Sequence, residues 1–200
     1  PDDPEVLLAL VQALFKNGEK ADAEKLARES LDEHKTYLPF YDFLYGIRLS
    51  EKNLAAGEAL LKEKVANNPK SWDAVNTLAI HYLRVNDRGK MTETLRTAAK
   101  DTQSFPKGHK DAGDFFYRIG DLKTAREEYE AGSASDSEKR VEYQRRIVEI
   151  LAAQGKMDEA VVLADKLVAE FKDDSASKAI RAALRLRSGK PAEIDEAIKE

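Results

Sequence analysis

The sequence repeats itself with a period of 34 residues. The clearest copy runs from Lys107 to Gly132, where two stretches of apolar residues at helical spacing flank Gly120. This pattern predicts two helices joined by a tight turn, because glycine adopts the positive φ of a helix-ending turn without steric cost. A fixed period of this length predicts an array of similar repeats, each in contact with its sequence neighbours.

The predicted turn position recurs along the whole chain. Successive copies are 34 residues apart, except for one interval of 35 between Gly120 and Gly155. We expect the additional residue to lie in the loop from Gly132 to Ser137. The turn positions are Gly18, Lys52, Asn86, Gly120, Gly155 and Gly189. The mostly small residues five positions later, which predict close helix packing, are Ala23, Gly57, Met91, Ala125 and Ala160.

Gly113 lies inside the first predicted helix of the clearest copy. A glycine there costs roughly 1 kcal/mol relative to alanine, so a packing requirement must offset that cost. We expect the backbone at Gly113 to approach the second helix at Ala125, since two small residues that face each other let two helices come close together.

The period and the small residues in register resemble the tetratricopeptide repeat (TPR) family. The resemblance covers nearly the whole chain and implies an all-α fold, a right-handed α-solenoid of antiparallel helix pairs with about five and a half repeats. Two features depart from the family pattern: only Tyr41 supplies the aromatic residue expected early in the first helix, and the closing proline occurs only as Pro69. We expect one solenoid segment over residues 1–200, with repeats at about 3–35, 37–70, 71–104, 105–135, 136–174 and 175–200, the last one truncated.

The composition of the chain argues against several classes of function. Charged residues make up 35% of the chain, and the net charge of −4 argues against a nucleic-acid-binding surface, which is usually strongly basic. The chain has no cysteine, which excludes disulfides and thiolate metal sites. No apolar run approaches the ~20 residues that span a bilayer. Because the sequence starts without methionine and ends within a predicted helix, we treat it as a segment of a longer protein, cytoplasmic or exported.

No motif for catalysis or for a cofactor is present. The three histidines lie in different repeats and no HExxH occurs, so a zinc site on one helix is not expected. Neither GxxxxGK[ST] nor GxGxxG is found. Ser104 with Lys107 and Ser175 with Lys178 match the spacing SxxK, but serine at a helix start is a common cap. We therefore expect a non-enzymatic protein without cofactor or metal.

The resemblance implies that the first helix of each pair lines the inner groove of the solenoid. In TPR proteins the second, fifth, ninth, twelfth and thirteenth positions of that helix point inward. The same mapping places Asp73, Glu142 and Ala152 inward. The candidate partner-binding residues obtained in this way are Leu8, Gln12, Phe15, Asp42, Leu49, Asn76, Ile80, Arg84, Lys107, Lys110, Asp114, Tyr117, Arg118, Arg145 and Glu149.

This candidate groove is apolar in the first three repeats and mixed in charge further on. Asp114 and Glu149 occupy ninth positions, where they would repel the peptide carboxylate that chaperone-tail-binding members hold. Lys110 and Arg145 supply cations on the same helices. A partner segment with apolar anchors and an acidic stretch suits this pattern. The alternative interpretation is that the charges only keep a curved surface soluble.

Three functions follow as hypotheses. The leading one is a protein-interaction scaffold that binds a peptide or partner segment in the groove. The second is a solenoid arm of a larger enzyme, or of a bacterial envelope, secretion or polysaccharide-export assembly, whose chemistry lies outside this segment. The third, a remote alternative, is an RNA-binding helical repeat, although the fifth positions share no polar pattern for reading bases. We expect a protein or peptide partner, no nucleic acid, and weak self-association through exposed solenoid ends.

Overall fold

The chain folds into α-helices joined by short loops. The computed structural model describes residues 2–188 and Ile194, and within those residues it contains eleven α-helices and no β-strand. The helices belong to two compact units, an N-terminal unit that ends at Pro106 and a C-terminal unit that begins at Lys107. The helices are α1 (Pro4–Lys16), α2 (Lys20–Glu33), α3 (Leu38–Ser50), α4 (Leu54–Asn67), α5 (Trp72–Arg84), α6 (Arg88–Lys100), α7 (Gly108–Arg118), α8 (Leu122–Ser135), α9 (Arg140–Ala153), α10 (Met157–Glu170) and α11 (Ser175–Ser188).

The turns between paired helices are confirmed. Gly120 N donates to Tyr117 O (3.0 Å) and Asp121 N to Phe116 O (2.9 Å), which is the Schellman motif, and the other four described turns have equivalent bonds. Among the described residues, the five positions with positive φ are Gly18 (φ 91°), Lys52 (φ 58°), Asn86 (φ 59°), Gly120 (φ 79°) and Gly155 (φ 75°). Two of them, Lys52 and Asn86, are not glycine. The sixth predicted turn position, Gly189, lies outside the described residues.

Three second helices are capped by the residue that directly follows the turn. The side chains of Asn53, Asp87 and Asp121 accept the N–H three residues further on, at 3.2, 3.0 and 3.1 Å. A side-chain oxygen at this position satisfies a backbone donor that has no partner within the helix. Turn and cap therefore occupy adjacent residues, which lets the chain reverse direction within a few positions.

The register of small residues is confirmed in the packing. All five residues that follow the described turns by five positions are buried, and Ala125 and Ala160 are fully buried. The residues four positions further along are buried as well. This periodic burial is what joins each second helix to its own first helix. The predicted tetratricopeptide-like pairing of helices is therefore present within each unit.

The residue that closes on Gly113 is Tyr129 rather than the predicted Ala125. A Cβ atom at Gly113 would lie 2.7 Å from Cδ1 and 2.8 Å from Cζ of Tyr129. Gly132 makes room for Tyr143 in the same way, since a Cβ there would lie 2.9 Å from Cδ1 of that ring. The spacing in the sequence identified a position of close approach but not the side chain that fills it.

The 35-residue interval lengthens a helix and not a loop. Helix α8 continues to Ser135, so most of the predicted loop from Gly132 to Ser137 is helical. Helix α9 has 14 residues, whereas α3 and α5 have 13. All three helices begin 20 residues after the preceding turn. The additional residue therefore lies within α9, which corrects its predicted position.

Candidate partner-binding site

First helices α7, α9 and α11 of the C-terminal unit border one open cavity of about 440 Å³. Most of its lining is apolar, and alanine side chains on α9 and α11 leave the space unfilled. Of the predicted groove residues, Tyr117 and Glu149 lie here, together with the inward position Ala152. The lining residues are Tyr117, Val148, Glu149, Ala152, Ala153, Ile180, Ala183, Leu184 and Arg187.

The repeat register explains why these residues meet. Tyr117 on α7 and Ala152 on α9 occupy equivalent positions in their repeats, and so do Glu149 on α9 and Ala183 on α11. Residues three positions apart share one face of a helix. The first helices therefore present equivalent positions to the same cavity.

Asp114 is the centre of a hydrogen-bonded cluster beside the cavity. Lys110 Nζ donates to Asp114 Oδ2 (2.8 Å), and the buried Tyr129 hydroxyl donates to Asp114 Oδ1 (2.6 Å). Burial alone would raise the pKa of Asp114, but these two hydrogen bonds outweigh it and hold the pKa below its ordinary value. Burial, followed by the bond to Asp114, raises the pKa of Tyr129.

Arg146 links this cluster to the cavity. Its Nη1 donates to Glu149 Oε2 (2.9 Å), and its Nε lies 3.6 Å from Asp114 Oδ1. Both ninth-position carboxylates are therefore already paired and contribute little net repulsion toward an anion. Arg146 is absent from the predicted set, although its i, i+3 spacing to Glu149 is a signal that the sequence carries. The bond from Tyr129 to Asp114 has no such signal.

Arg145 is engaged elsewhere in the fold. Its Nη1 lies 2.7 Å from Oδ1 and 2.8 Å from Oδ2 of Asp174, in the loop before α11. Asp174 Oδ2 also accepts the Ser177 N–H (2.9 Å). Burial raises the pKa of Asp174, but the bonds from Ser177 and Arg145 lower it overall. The role of Arg145 as a cation for a partner stays a prediction, and it would require breaking this ion pair.

The remaining predicted cations of the C-terminal unit are solvent-exposed. Lys107 is exposed just before α7 begins, and Arg118 is exposed at the end of α7. Arg118 Nε donates to the backbone carbonyl of Asp114 (3.3 Å). Arg187, two residues before Gly189, is exposed at the equivalent position on α11, whereas the predicted set ended with the fifth repeat. Within the described part of the chain, none of these three cations forms an ion pair.

In the N-terminal unit the predicted residues of α1 are apolar except for Gln12. Leu8 is half-buried, whereas Gln12 and Phe15 are exposed. Phe15 packs edge-on against Phe43 with ring centroids 5.5 Å apart, and the Lys20 ammonium lies 5.7 Å from the Phe15 centroid. On α3, the predicted residue Leu49 is half-buried.

A buried lysine organises the next part of that face. Lys64 on α4 is fully buried, and its Nζ donates to Asp42 Oδ1 (2.6 Å), Thr77 Oγ1 (3.3 Å) and Asp73 Oδ2 (3.4 Å). The carboxylate side chains of Asp42 and Asp73 remain 49% and 65% exposed. Sequence reasoning placed both aspartates inward but missed Lys64, because it belongs to a second helix.

The predicted residues of α5 differ from one another. Ile80 is 40% exposed, and Asn76 is half-buried with a buried Oδ1 that has no hydrogen-bond partner among the described residues. Arg84 Nη1 donates to the Tyr45 hydroxyl (3.3 Å), which is also hydrogen-bonded to Nδ1 of the buried His81 (2.9 Å). Burial lowers the pKa of His81.

The described residues contain neither a metal site nor a membrane span. In that part of the chain, no group of three or more His, Asp or Glu side chains is placed to hold a metal ion. None of the described helices combines the length and the apolar character that crossing a membrane requires. The described residues provide a set of adjacent helix faces with an apolar cavity, beside paired carboxylates and the exposed Arg187.

Solved structures supply the comparison. The structure of Naa15/Naa10 bound to HypK-THB matches with a TM-score of 0.58 and 16% identity, over 100% of this chain and 31% of that chain. The fold is a tetratricopeptide-type helical repeat. PilW, a widely conserved type IV pilus biogenesis factor, matches this TPR-like chain with a TM-score of 0.50 and 11% identity, over 97% of this chain and 90% of its own.

A tetratricopeptide repeat protein from Parabacteroides merdae matches with a TM-score of 0.48 and 16% identity, over 98% of this chain and 77% of that one. No protein-family model and no curated protein matches the sequence. The matches with TM-scores of 0.58 and 0.50 show the helical fold, and the repeat register gives it the TPR-like pattern.

Proposed function

We propose that this TPR-like protein is a non-catalytic interaction scaffold that holds a segment of a partner protein against α7, α9 and α11. The observation that carries the proposal is the open apolar cavity of about 440 Å³ between those helices. Binding pockets in proteins typically measure ~300–1,000 Å³ and combine apolar walls with a few polar groups. The size and the lining of this cavity both fall in that class.

Part of the wall of the cavity is packed against the core, which favours binding. Val148 is fully buried and Leu184 is nearly so, because both belong to the packed side of their helices. Tyr117 is 37% exposed at one edge of the cavity. Aromatic side chains that are partly exposed on a rigid support are frequent binding hot spots. The two packed wall residues therefore lose little conformational entropy when a partner is bound.

A chain segment fits this surface better than a compact small molecule. Equivalent positions on successive first helices face the same side, so recognition positions recur from one repeat to the next. An extended segment or a helix places its own side chains at regular intervals. We therefore expect one apolar side chain to enter the cavity while its neighbours contact the adjacent helices.

The test is selection of binders from a random-peptide phage library, followed by a comparison of two variants. Ala183→Trp fills the cavity, since Ala183 belongs to its lining. Ala134→Trp is the matched control, because Ala134 is exposed on α8 and does not line the cavity. We expect selected peptides to lose at least tenfold in affinity for Ala183→Trp and to bind Ala134→Trp as they bind the wild type.

The proposal is rejected if the selected peptides bind Ala183→Trp and the wild type equally. Circular dichroism and thermal melting of both variants show whether the fold is retained. Because Ala183 and Ala134 are both exposed, neither tryptophan has to enter a packed core.

A further inference from the structure

We infer that the segment bound by the cavity of the C-terminal unit is acidic, with an apolar side chain in the cavity and carboxylates beside it that pair with Arg187 and Arg118. This inference rests on the proposed function and names the chemistry of the partner. It differs from the expectation based on the sequence by adding Arg187 to the predicted Arg118 and by leaving out Lys110 and Arg145, whose charges are paired within the fold.

The acidic groups near the cavity are already neutralised. Glu149 accepts a hydrogen bond from Arg146 (2.9 Å), and Asp114 accepts one from Lys110 (2.8 Å) and another from Tyr129 (2.6 Å). A basic partner would have to compete with these internal cations for each carboxylate. The acids of this face therefore do not attract a basic segment strongly.

Cations at the cavity, in contrast, remain available. Arg187 lines the cavity and is exposed, and Arg118 is exposed next to Tyr117 at the equivalent position on α7. Neither guanidinium forms an ion pair within the part of the chain that the structure describes. A guanidinium binds a carboxylate through two parallel N–H donors, which gives a preferred geometry as well as attraction. The uncompensated charge beside the cavity is therefore positive.

The floor of the cavity sets the second requirement. Ala152, Ala153 and Ala183 contribute only methyl groups, and Ile180 and Leu184 complete an apolar surface. A branched aliphatic side chain gains free energy when it leaves water for such a surface. A purely ionic ligand would not use this area, and a purely apolar one would leave both arginines without an ion-pair partner. The two features together select an apolar anchor flanked by acidic residues.

The experiment uses three fluorescein-labelled peptides that share a Leu-Leu core and differ only in their flanks. The flanks are four glutamates, four glutamines or four lysines. Fluorescence anisotropy with the whole chain measures each affinity at low and at high salt. We expect the glutamate peptide to bind about three- to tenfold more tightly than the glutamine peptide at low salt, because exposed ion pairs add a modest attraction. The advantage decreases at high salt.

Charge reversal then tests the assigned arginine. Arg187→Glu is expected to remove the preference for the glutamate peptide. Lys123→Glu changes the net charge by the same amount at an exposed position of α8 and is expected to leave the preference intact. Equal effects of the two variants would show that only the overall charge matters and would overturn the assignment.

The outcomes separate this inference from the proposed function. If the glutamine or lysine peptide binds as tightly as the glutamate peptide and Ala183→Trp weakens both, the cavity binds segments but does not select acidic ones. If none of the three peptides binds and phage selection yields no peptide that is sensitive to Ala183→Trp, the proposed function itself is rejected.

Discussion

Lys64 in the N-terminal unit and Gly132 in the C-terminal unit occupy the same position of the repeat, twelve residues after the turns at Lys52 and Gly120. At the first, an ammonium group is buried and hydrogen-bonded to residues of α3 and α5, such as Asp42. At the second, the absence of a side chain lets the Tyr143 ring of α9 pack against the backbone of α8. The same position of the repeat therefore holds a buried charged side chain in one unit and an aromatic ring contact in the other.

The difference shows how one repeat produces two surfaces. In the N-terminal unit, Lys64 draws Asp42 and Asp73 together, so that part of the first-helix face is polar. In the C-terminal unit the corresponding contact is made by a ring, and the first-helix face contains an open apolar cavity. The repeat register determines which positions of neighbouring helices are in contact, and the residue types at those positions determine whether the surface is polar or apolar.

The largest effect is expected from truncating the buried lysine. Lys64→Ala removes a buried four-carbon chain as well as the ammonium, and we expect it to lower the free energy of unfolding by about 2–4 kcal/mol. Lys64→Met keeps a chain of similar volume, and the half-exposed carboxylates of Asp42 and Asp73 stay hydrated, so we expect a loss within ~1.5 kcal/mol. Urea unfolding followed by circular dichroism measures both.

Equal losses for the two Lys64 variants would show that the ammonium, and not its aliphatic chain, stabilises this contact. The difference between the Lys64 and Gly132 positions would then lie in the charge that is buried and not in the volume of the side chain.

The next largest effect concerns the glycine of the C-terminal unit. Gly132→Ala places a methyl group against the buried Tyr143 ring, and we expect it to destabilise the fold by about 1–3 kcal/mol, because a packed ring has little room to move. Gly46→Ala is the control: a Cβ there meets nothing within 4 Å, and alanine favours the helix by about 0.5–1 kcal/mol. If both substitutions stabilise the protein, Tyr143 does not require the glycine.

The smallest effect is a pH dependence specific to the N-terminal unit. Burial lowers the pKa of His81, and Arg84 and Lys90 add to this, while Glu58 opposes it. The unfolded chain then binds the proton more readily than the folded one once the pH falls below ~6.5. We expect stability to decrease as the pH falls through that value. Chemical unfolding at pH 7.5 and pH 5 measures the change.

His81→Gln removes this titration and is the matched variant. A His81→Gln protein that loses as much stability as the wild type between pH 7.5 and pH 5 would assign the pH dependence to other groups. The depressed pKa of Glu58, about 2, contributes outside this window. That contribution is present above the ordinary carboxyl pKa and is lost only as the pH falls toward 2.

The turns and the helix pairing could be predicted because they depend on local geometry. Lys52 and Asn86 were placed in left-handed turns solely by their distance from Gly18 and Gly120, and the structure confirms both. The candidate site could be predicted only in part. Tyr117, a member of the predicted set, lines the cavity, whereas Arg187 also lines it but is absent from that set, which ended with the fifth repeat.

Charge pairing is where the sequence was least informative. Long side chains reach partners on other helices, so their contacts depend on how neighbouring helices are placed. Arg145 was predicted to face a partner, yet it is bonded to Asp174, 29 residues further along the chain. Lys64 lies outside the predicted set, yet it joins Asp42 and Asp73. Spacing along one helix reveals neither contact.

The sequence by itself determined the period, the turns and the positions that are buried, because steric limits on φ and the helical repeat act within a few residues. Only the tertiary structure decided which charges are neutralised, which ring fills the space beside Gly113, and where a cavity stays open. These outcomes depend on distances between side chains of different helices, such as Tyr129 and Asp114, and such distances are set when the helices pack.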